Sequence, residues 1–579
     1  MNALARAREE LATNERQWQA FTAEGHCVVL APPGSGKTKL LTTRLANDLV
    51  TRIPRPHGAA CITLTNAAAD ELERRLDVLG IDRRSTLFVG TVHGFALSRI
   101  VLPFAAVGGI PELSDPRIAS DRQVKAALNQ AVSEFYPEGE RRYVDSTVTR
   151  LRKMMDADQY ALAGGHIAEV SDRFEQILHD QGLIDFDDIV IRAVGLVEGH
   201  AFIRRALAAR YPNLYIDEYQ DLAPGLDRLV RALCFDSTAN AELFAVGDPF
   251  QSIYGWTGSR PELLDELSKR PGVAVVELDV NYRSGNEIIR ISSRALGEDR
   301  QIRGLREGGT VTAHHVPEGF DHQLLAAAEL IELCAAEGTS YDEIAVLCHS
   351  NAECLETADA LRAAGLPVFV RDNDEYRLTA ATLMIEGLAA WAILPRGQSG
   401  HRLGQLLRRW RGFVRDSDVA LVRLLVDAPG NGEQSAAAFL DSLDELGLKR
   451  ALATPSRADD AIETAKMRRS LTTGKLATLT LEGLAERARA LGRVYVTTMT
   501  ASKGLEFDVI IMLGVEHGKI PFFSSTGAEL AEDRRKFYVS LTRARHAVHI
   551  FYSGWFRWKA GGRVNNDGPS QFLRELGLA

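Results

Sequence analysis

The sequence predicts an α/β protein with two parallel sheets in tandem, each interrupted by a mainly helical segment. Three observations carry this expectation. Apolar runs near Cys27, Ala60, Phe88, Leu214 and Phe244 alternate with helix-like stretches, the pattern of a parallel sheet covered on both faces. A second such series runs through residues 343–348, a helix beginning near Asn351 and ending at Gly365, and then 494–498, 509–513 and 548–552. Each series is broken by an Ala/Leu/Arg-rich stretch, 111–182 in the first and 376–489 in the second. A chain of 579 residues, 45% hydrophobic and 25% charged, is also too long for one core.

The first elements already point to chemistry. The apolar run 27–30 is followed by Ala31-Pro32-Pro33-Gly34-Ser35-Gly36-Lys37-Thr38 and then by a helix-like stretch, the strand, loop, helix order of a phosphate loop. Glycines let backbone N–H groups close around phosphates, Lys37 brings a positive charge, and the Thr38 hydroxyl offers Mg²⁺ an oxygen. Pro33, Gly34, Ser35, Gly36, Lys37, Thr38 and Lys39 are therefore candidate nucleotide contacts, although the strict pattern wants Gly where Ala31 stands. Almost two hundred residues downstream, the apolar run 213–216 ends in Asp217-Glu218. Asp217 suits the metal and Glu218 suits deprotonation of an attacking water. A Gly/Ser turn and a solvated strand end are the plain alternatives, and the co-occurrence of the two motifs disfavours both.

Read as a string, residues 215–221 are YIDEYQD, and with the phosphate loop they resemble the superfamily 1 helicases of the UvrD/Rep/PcrA type. Further strings fit in order: Asn14-Glu15-Arg16-Gln17, the ITLTN of 62–66, the GTVHGF of 90–95, the DFDD of 185–188 and VGDPFQSIYGW at 246–256. NYRS at 281–284, KGLEF at 503–507 and YVSLTRA at 538–544 complete the set. The resemblance covers about residues 11–555 and implies two RecA-like cores that use ATP and Mg²⁺. It implies that Gln17 reads adenine, as the amide geometry allows, that Tyr282 stacks on the base, and that Glu506 accepts from the ribose. It makes Gln251 the γ-phosphate sensor and Arg283 and Arg543 arginine fingers, worth roughly 10³–10⁵ in rate. Lys37, Glu218, Gln251, Arg283 and Arg543 form the implied catalytic set.

On the DNA side the resemblance implies contacts from Asn66, His93 and Phe186. Tyr254 and Trp256, two apart and flanked by Gly255, Thr257, Gly258 and Ser259, suit a surface loop that stacks successive bases, at about 1–3 kcal/mol per base. Departures from the family pattern cluster on this side: Leu64 where an aromatic is usual, Ala67 for Lys, Thr257 for Arg and Thr500 for His. Weakened grip on DNA and neutral variation both fit them.

The net charge of −9 does not mark a nucleic-acid binder by itself, since a motor holds its track through a groove. The six cysteines show no CxxC pair and no zinc-like spacing, so neither a cluster nor a structural zinc is expected. The absence of a signal-peptide core and of an 18-residue apolar run leads to the expectation of a cytoplasmic protein with no membrane partner. The expected organisation is a first core over 1–110 and 183–278 with its helical insert 111–182, then a second core over 279–375 and 490–579 with a reduced insert 376–489. About 26 residues follow the last strand, too few for an appended nuclease. The expected activity is an ATP-dependent helicase or translocase moving 3′ to 5′ on single-stranded or tailed DNA. A second reading keeps the ATPase but makes the chain a nucleic-acid-sensing subunit that activates a separate nuclease in DNA repair or antiviral defence; a non-motor P-loop kinase is a weaker third.

Overall fold

The structure is a computed structural model that describes residues 3–81, 86–114, 116–138, 141, 143–255, 258–298, 300–370, 375–376, 379–394, 399, 401–428, 432–453, 457–474, 476–487, 492–558, 562 and 564–579. The chain divides into two compact units, 1–308 together with 534–538, and 309–533 together with 539–579.

In the first unit the strands are β1 (His26–Leu30), β2 (Ala59–Thr63), β3 (Phe88–Thr91), β4 (Asn213–Ile216), β5 (Glu242–Gly247) and β6 (Val273–Glu277). They form one sheet in the order β3-β2-β4-β5-β1-β6, every pair parallel. Side chains alternate across a strand, so Cys27 and Val29 of β1 join a core with Leu40, Leu41 and Leu45 of the helix Lys37–Thr51, while Val28 joins a second core on the opposite face with Phe95, Ile189 and Leu229. Both faces being covered explains why these strands read as continuous apolar runs. The helices between 121 and 180 carry a separate small core built on Val148, Leu151, Val170 and Phe174. A parallel ribbon, β7 (Val280–Gly285) with β8 (Arg303–Arg306), completes the unit together with the helix Asn286–Leu296. The packing division therefore falls at 308/309, whereas the motif spacing places the second core's start at 279.

The second unit contains β9 (Thr310–His315), β10 (Ile344–Cys348), β11 (Val368–Val370), β12 (Val494–Thr498), β13 (Phe507–Met512) and β14 (Ala544–Tyr552), again all parallel, in the order β9-β14-β13-β10-β12-β11. Helices between 380 and 487 enclose their own core around Trp410, Leu388, Phe439 and Leu484. The fold is thus two RecA-like parallel-sheet cores in tandem, each with a helical insert. No helix among the described residues is long and apolar enough to cross a membrane.

Candidate nucleotide-binding site

The strand order of the first sheet places β4, β5 and β1 side by side, so the segments leaving their C-terminal ends are neighbours. That edge is where parallel sheets bind ligands. The loop 31–36 leaves β1, with Ala31 N donating to Gly247 O at 2.9 Å. Gly34 and Gly36 have φ of +73° and +80°, and a Cβ on Gly34 would lie 2.7 Å from Asn281 Oδ1. Only glycine fits there. The helix Lys37–Thr51 starts directly after Gly36, so its first N–H groups have no helical partner and its dipole favours an anion. The Ser35 hydroxyl is buried and meets no hydrogen-bond partner among the described residues. An anion-ready helix start, two left-handed glycines and an orphaned hydroxyl fit a phosphate cradle.

Strand β7 buttresses this loop. Tyr282 N donates to Gly34 O at 2.8 Å, Asn281 Nδ2 donates to Pro33 O at 2.9 Å, and Asn281 Oδ1 accepts from the backbone N–H groups of Arg283 (2.7 Å) and Ser284 (2.9 Å). The NYRS string therefore sets both the shape of the phosphate loop and the position of Arg283. Gln17 is buried and its Nε2 donates to Ser35 O at 2.8 Å, leaving its carbonyl oxygen for a ligand. The side chain of Asn14 caps the helix Glu15–Thr22 and also donates to the Tyr282 hydroxyl at 3.0 Å. Lys39, by contrast, pairs with Glu10 at 2.5 Å on the exposed side of its helix.

The carboxylates come from the end of β4. Asp217 is buried, and its carboxyl is raised above the ordinary range first by that burial and then by the neighbouring charge of Glu218, with Lys37 acting in the opposite direction. Glu218 adopts φ of +55°, a left-handed conformation rare outside glycine, at a strain of about 1–3 kcal/mol. That backbone turn sends the two acids to different partners. Asp217 Oδ1 accepts from Glu218 N at 3.1 Å, whereas the Glu218 carboxylate meets Lys37 Nζ at 2.8 Å and accepts from Gln220 Nε2 at 2.6 Å. Gln220 in turn accepts from Asp248 N at 3.0 Å, and Asp248, after β5, accepts from Gln251 Nε2 at 3.0 Å.

Two hard oxygen donors, the Thr38 hydroxyl and the Asp217 carboxylate, are the protein's candidates for Mg²⁺. They fit an ion that takes few protein ligands and completes its shell with phosphates and water. No group of three or more metal-ligating side chains occurs among the described residues.

The two candidates in the second unit have their own partners there. The Arg543 guanidinium is buried, donating to Val539 O (2.9 Å), Thr542 Oγ1 (3.1 Å) and Leu505 O (3.3 Å). Glu506 pairs with Arg545 at 3.0 Å.

On the expected DNA side, His93 meets the ring of Phe186 edge-on at 5.9 Å, and Phe186 is 54% exposed. Phe186 opens the helix Phe186–Gly199, which Asp185 caps by accepting from Asp188 N at 2.7 Å. Asp185 is itself gripped by both terminal nitrogens of the buried Arg152. Leu64, His93, Lys153 and Asp187 line a cavity of about 130 Å³. Burial holds the His93 ring below its ordinary pKa and pushes the Asp187 carboxyl up to about 6. Tyr254 is half-buried. Trp256, Thr257 and the side chains of Asn66 and Ala67 lie outside the described residues.

Gln220, Asp248 and Arg300 belong to this site but carry no role in the motif reading. Gln220 and Asp248 lie inside quoted strings and were within reach of it. Arg300 sits in a polar stretch with no pattern that marks it.

Adjacent strand ends presenting a phosphate loop, an acid pair and a Gln-bearing loop define a P-loop protein of the tandem-core class. The chain belongs to the UvrD/Rep helicase family: the UvrD/REP helicase N-terminal domain matches residues 13–271 and the UvrD-like helicase C-terminal domain matches 450–554. It is 27% identical to the ATP-dependent DNA helicase UvrD2 of Mycobacterium tuberculosis, over 97% of this chain and 81% of that protein. It is 24% identical to UvrD1 of the same organism, covering 97% and 85%. Rep of Escherichia coli is 25% identical, covering 97% and 94%.

Proposed function

We propose that this protein is an ATP- and Mg²⁺-dependent DNA helicase that moves 3′ to 5′ along single-stranded DNA and separates the strands of a tailed duplex. The observation that carries the reading is the grouping of Lys37, Asp217, Glu218, Gln220, Asp248 and Gln251 through an unbroken run of hydrogen bonds across three adjacent strand ends.

The pairing of Lys37 with Glu218 gives the site an order of events. A triphosphate in the loop competes for Lys37, and transfer of the ammonium to phosphate frees the Glu218 carboxylate to accept a proton from water. Gln220 keeps hold of one Glu218 oxygen throughout, so the base is oriented while it changes partners. Mg²⁺, held by Thr38 and Asp217, would neutralise developing phosphate charge. Gln251 senses the terminal phosphate, and Arg283 and Arg543 stabilise the transition state. Gln17 and Tyr282 hold the base, with Glu506 at the ribose. Phe186, His93, Tyr254, Trp256 and Asn66 hold the strand.

The test is steady-state ATP hydrolysis with and without single-stranded DNA, beside unwinding of duplexes carrying a 3′ or a 5′ tail. Glu218→Gln should bind nucleotide and hydrolyse it very slowly, and Phe186→Ala should weaken strand binding by about 1–3 kcal/mol. Unwinding of the 3′-tailed duplex alone supports the full reading. DNA-stimulated hydrolysis with no unwinding would leave a nucleic-acid-responsive ATPase and overturn strand separation.

A further inference from the structure

We propose that Arg300 is a positioning residue for ATP hydrolysis, acting through the Asp248 carboxylate to fix Gln251. This inference rests on the proposed ATPase reading.

Asp248 is fully buried at the end of β5 and is the junction of the hydrogen-bonded run. Its two carboxylate oxygens receive Gln251 Nε2 (3.0 Å), Phe250 N (3.2 Å) and both terminal nitrogens of Arg300, each at 3.1 Å. A two-pronged guanidinium contact fixes the plane of the carboxylate as well as its charge. With the plane fixed, the oxygen that accepts from Gln251 is fixed too. The Asp248 backbone N–H, set by the end of β5, donates to Gln220 Oε1, and the other end of that amide holds Glu218. A single cation thus sets the sensor side chain from behind.

Arg300 is itself tightly placed. Its guanidinium lies over the Phe250 ring at 4.7 Å and donates to the Tyr538 hydroxyl at 2.7 Å. Arg535, one turn earlier on the same helix as Tyr538, donates to Ser252 O at 2.6 Å, directly after Gln251. Residues 534–538, which pack with the first unit, therefore hold Arg300 through Tyr538 and the end of the sensor loop through Arg535. Simple charge neutralisation of Asp248 needs none of this geometry. A lysine would neutralise it equally well but lacks the fork.

That difference supplies the experiment. With Mg²⁺-ATP and saturating single-stranded DNA, Arg300→Lys should lower kcat by roughly 10- to 100-fold, the scale of a misplacement of about 1 Å. Affinity for a fluorescent ATP analogue should stay within about twofold, because the phosphate loop is untouched. In a double-mutant cycle, adding Arg300→Lys to Gln251→Ala should lower kcat much less than Arg300→Lys does alone, because the two residues act on one event. Normal kcat in Arg300→Lys, or full additivity with Gln251→Ala, overturns the proposal. Should Arg300→Lys fail to melt cooperatively, the neutral pair Asp248→Asn with Arg300→Met replaces it: a folded protein with lowered kcat supports positioning, and one with wild-type kcat refutes it. Absence of ATP hydrolysis by the wild-type protein would instead refute the underlying reading.

Discussion

Lys37→Ala should destabilise the first unit as well as abolish hydrolysis. A phosphate-loop lysine looks expendable to the fold, since in sequence it stands on a solvent-facing loop. In the structure its side chain is 13% exposed and its partner Glu218 is 22% exposed, beside the buried Asp217. Exposed ion pairs contribute about 0.2–1 kcal/mol, and breaking a fully buried one costs about 3–5 kcal/mol because a charge is left behind. This pair lies between those limits, so the loss should be about 2 kcal/mol, a fall of about 3 °C in melting temperature for a unit of this size. The pH dependence has a definite sign. The folded-state pKa of Asp217 is raised, so Asp217 takes up a proton as pH falls and ceases to repel Glu218. The deficit should therefore be largest near pH 8 and shrink toward pH 5.5. Melting the wild type, Lys37→Ala, Glu218→Gln and the double variant at both pH values completes the cycle, since a neutral amide in place of the Glu218 carboxylate has no need of the lysine. Wild-type melting of Lys37→Ala at pH 8, or the same deficit in the Glu218→Gln background, would refute the reasoning.

Asp217→Asn should raise the melting temperature of the nucleotide-free protein at pH 8, because a buried carboxyl with a raised pKa destabilises the fold above that pKa; the gain should vanish near pH 4, and a lower melting temperature at pH 8 would contradict the burial argument. Arg152→Ala should destabilise the first unit by about 3–5 kcal/mol by stranding the buried Asp185, with part of the loss recovered in Arg152→Ala/Asp185→Asn, as read by denaturant titration. Burial, then the nearby His314, holds His549 down to about 4, against an ordinary 6.5. The unfolded chain therefore binds the proton first, and stability is lost as pH falls from about 6.5 toward 4. His549→Leu should flatten that slope in melting experiments, and an unchanged slope would assign the acid sensitivity to other groups.

The local chemistry of the site is written in contiguous residues. A strand, a Gly-rich loop and a helix start are contiguous in the chain, so the phosphate cradle was legible at 27–38, as was the acid pair after the apolar run 213–216. The parallel α/β class was equally legible, because strands covered on both faces read as unbroken apolar runs. The contacts among segments distant in sequence depend on how the chain folds. Strands β6 (Val273–Glu277) and β11 (Val368–Val370) are apolar but short, and β9 (Thr310–His315) mixes in polar residues, so none stands out as a long apolar run; most of β6 is also partly or fully exposed. That β4, β5 and β1 are neighbours is a consequence of strand order, which no local pattern encodes. Asn281 meets the phosphate loop from 248 residues away, and Arg300 meets Asp248 from 52. The NYRS resemblance places its segment at the nucleotide, but the Asn281 grip on the loop and the Arg300 grip on Asp248 depend on side chains of common type whose spacing carries no period, so only the folded chain reveals them.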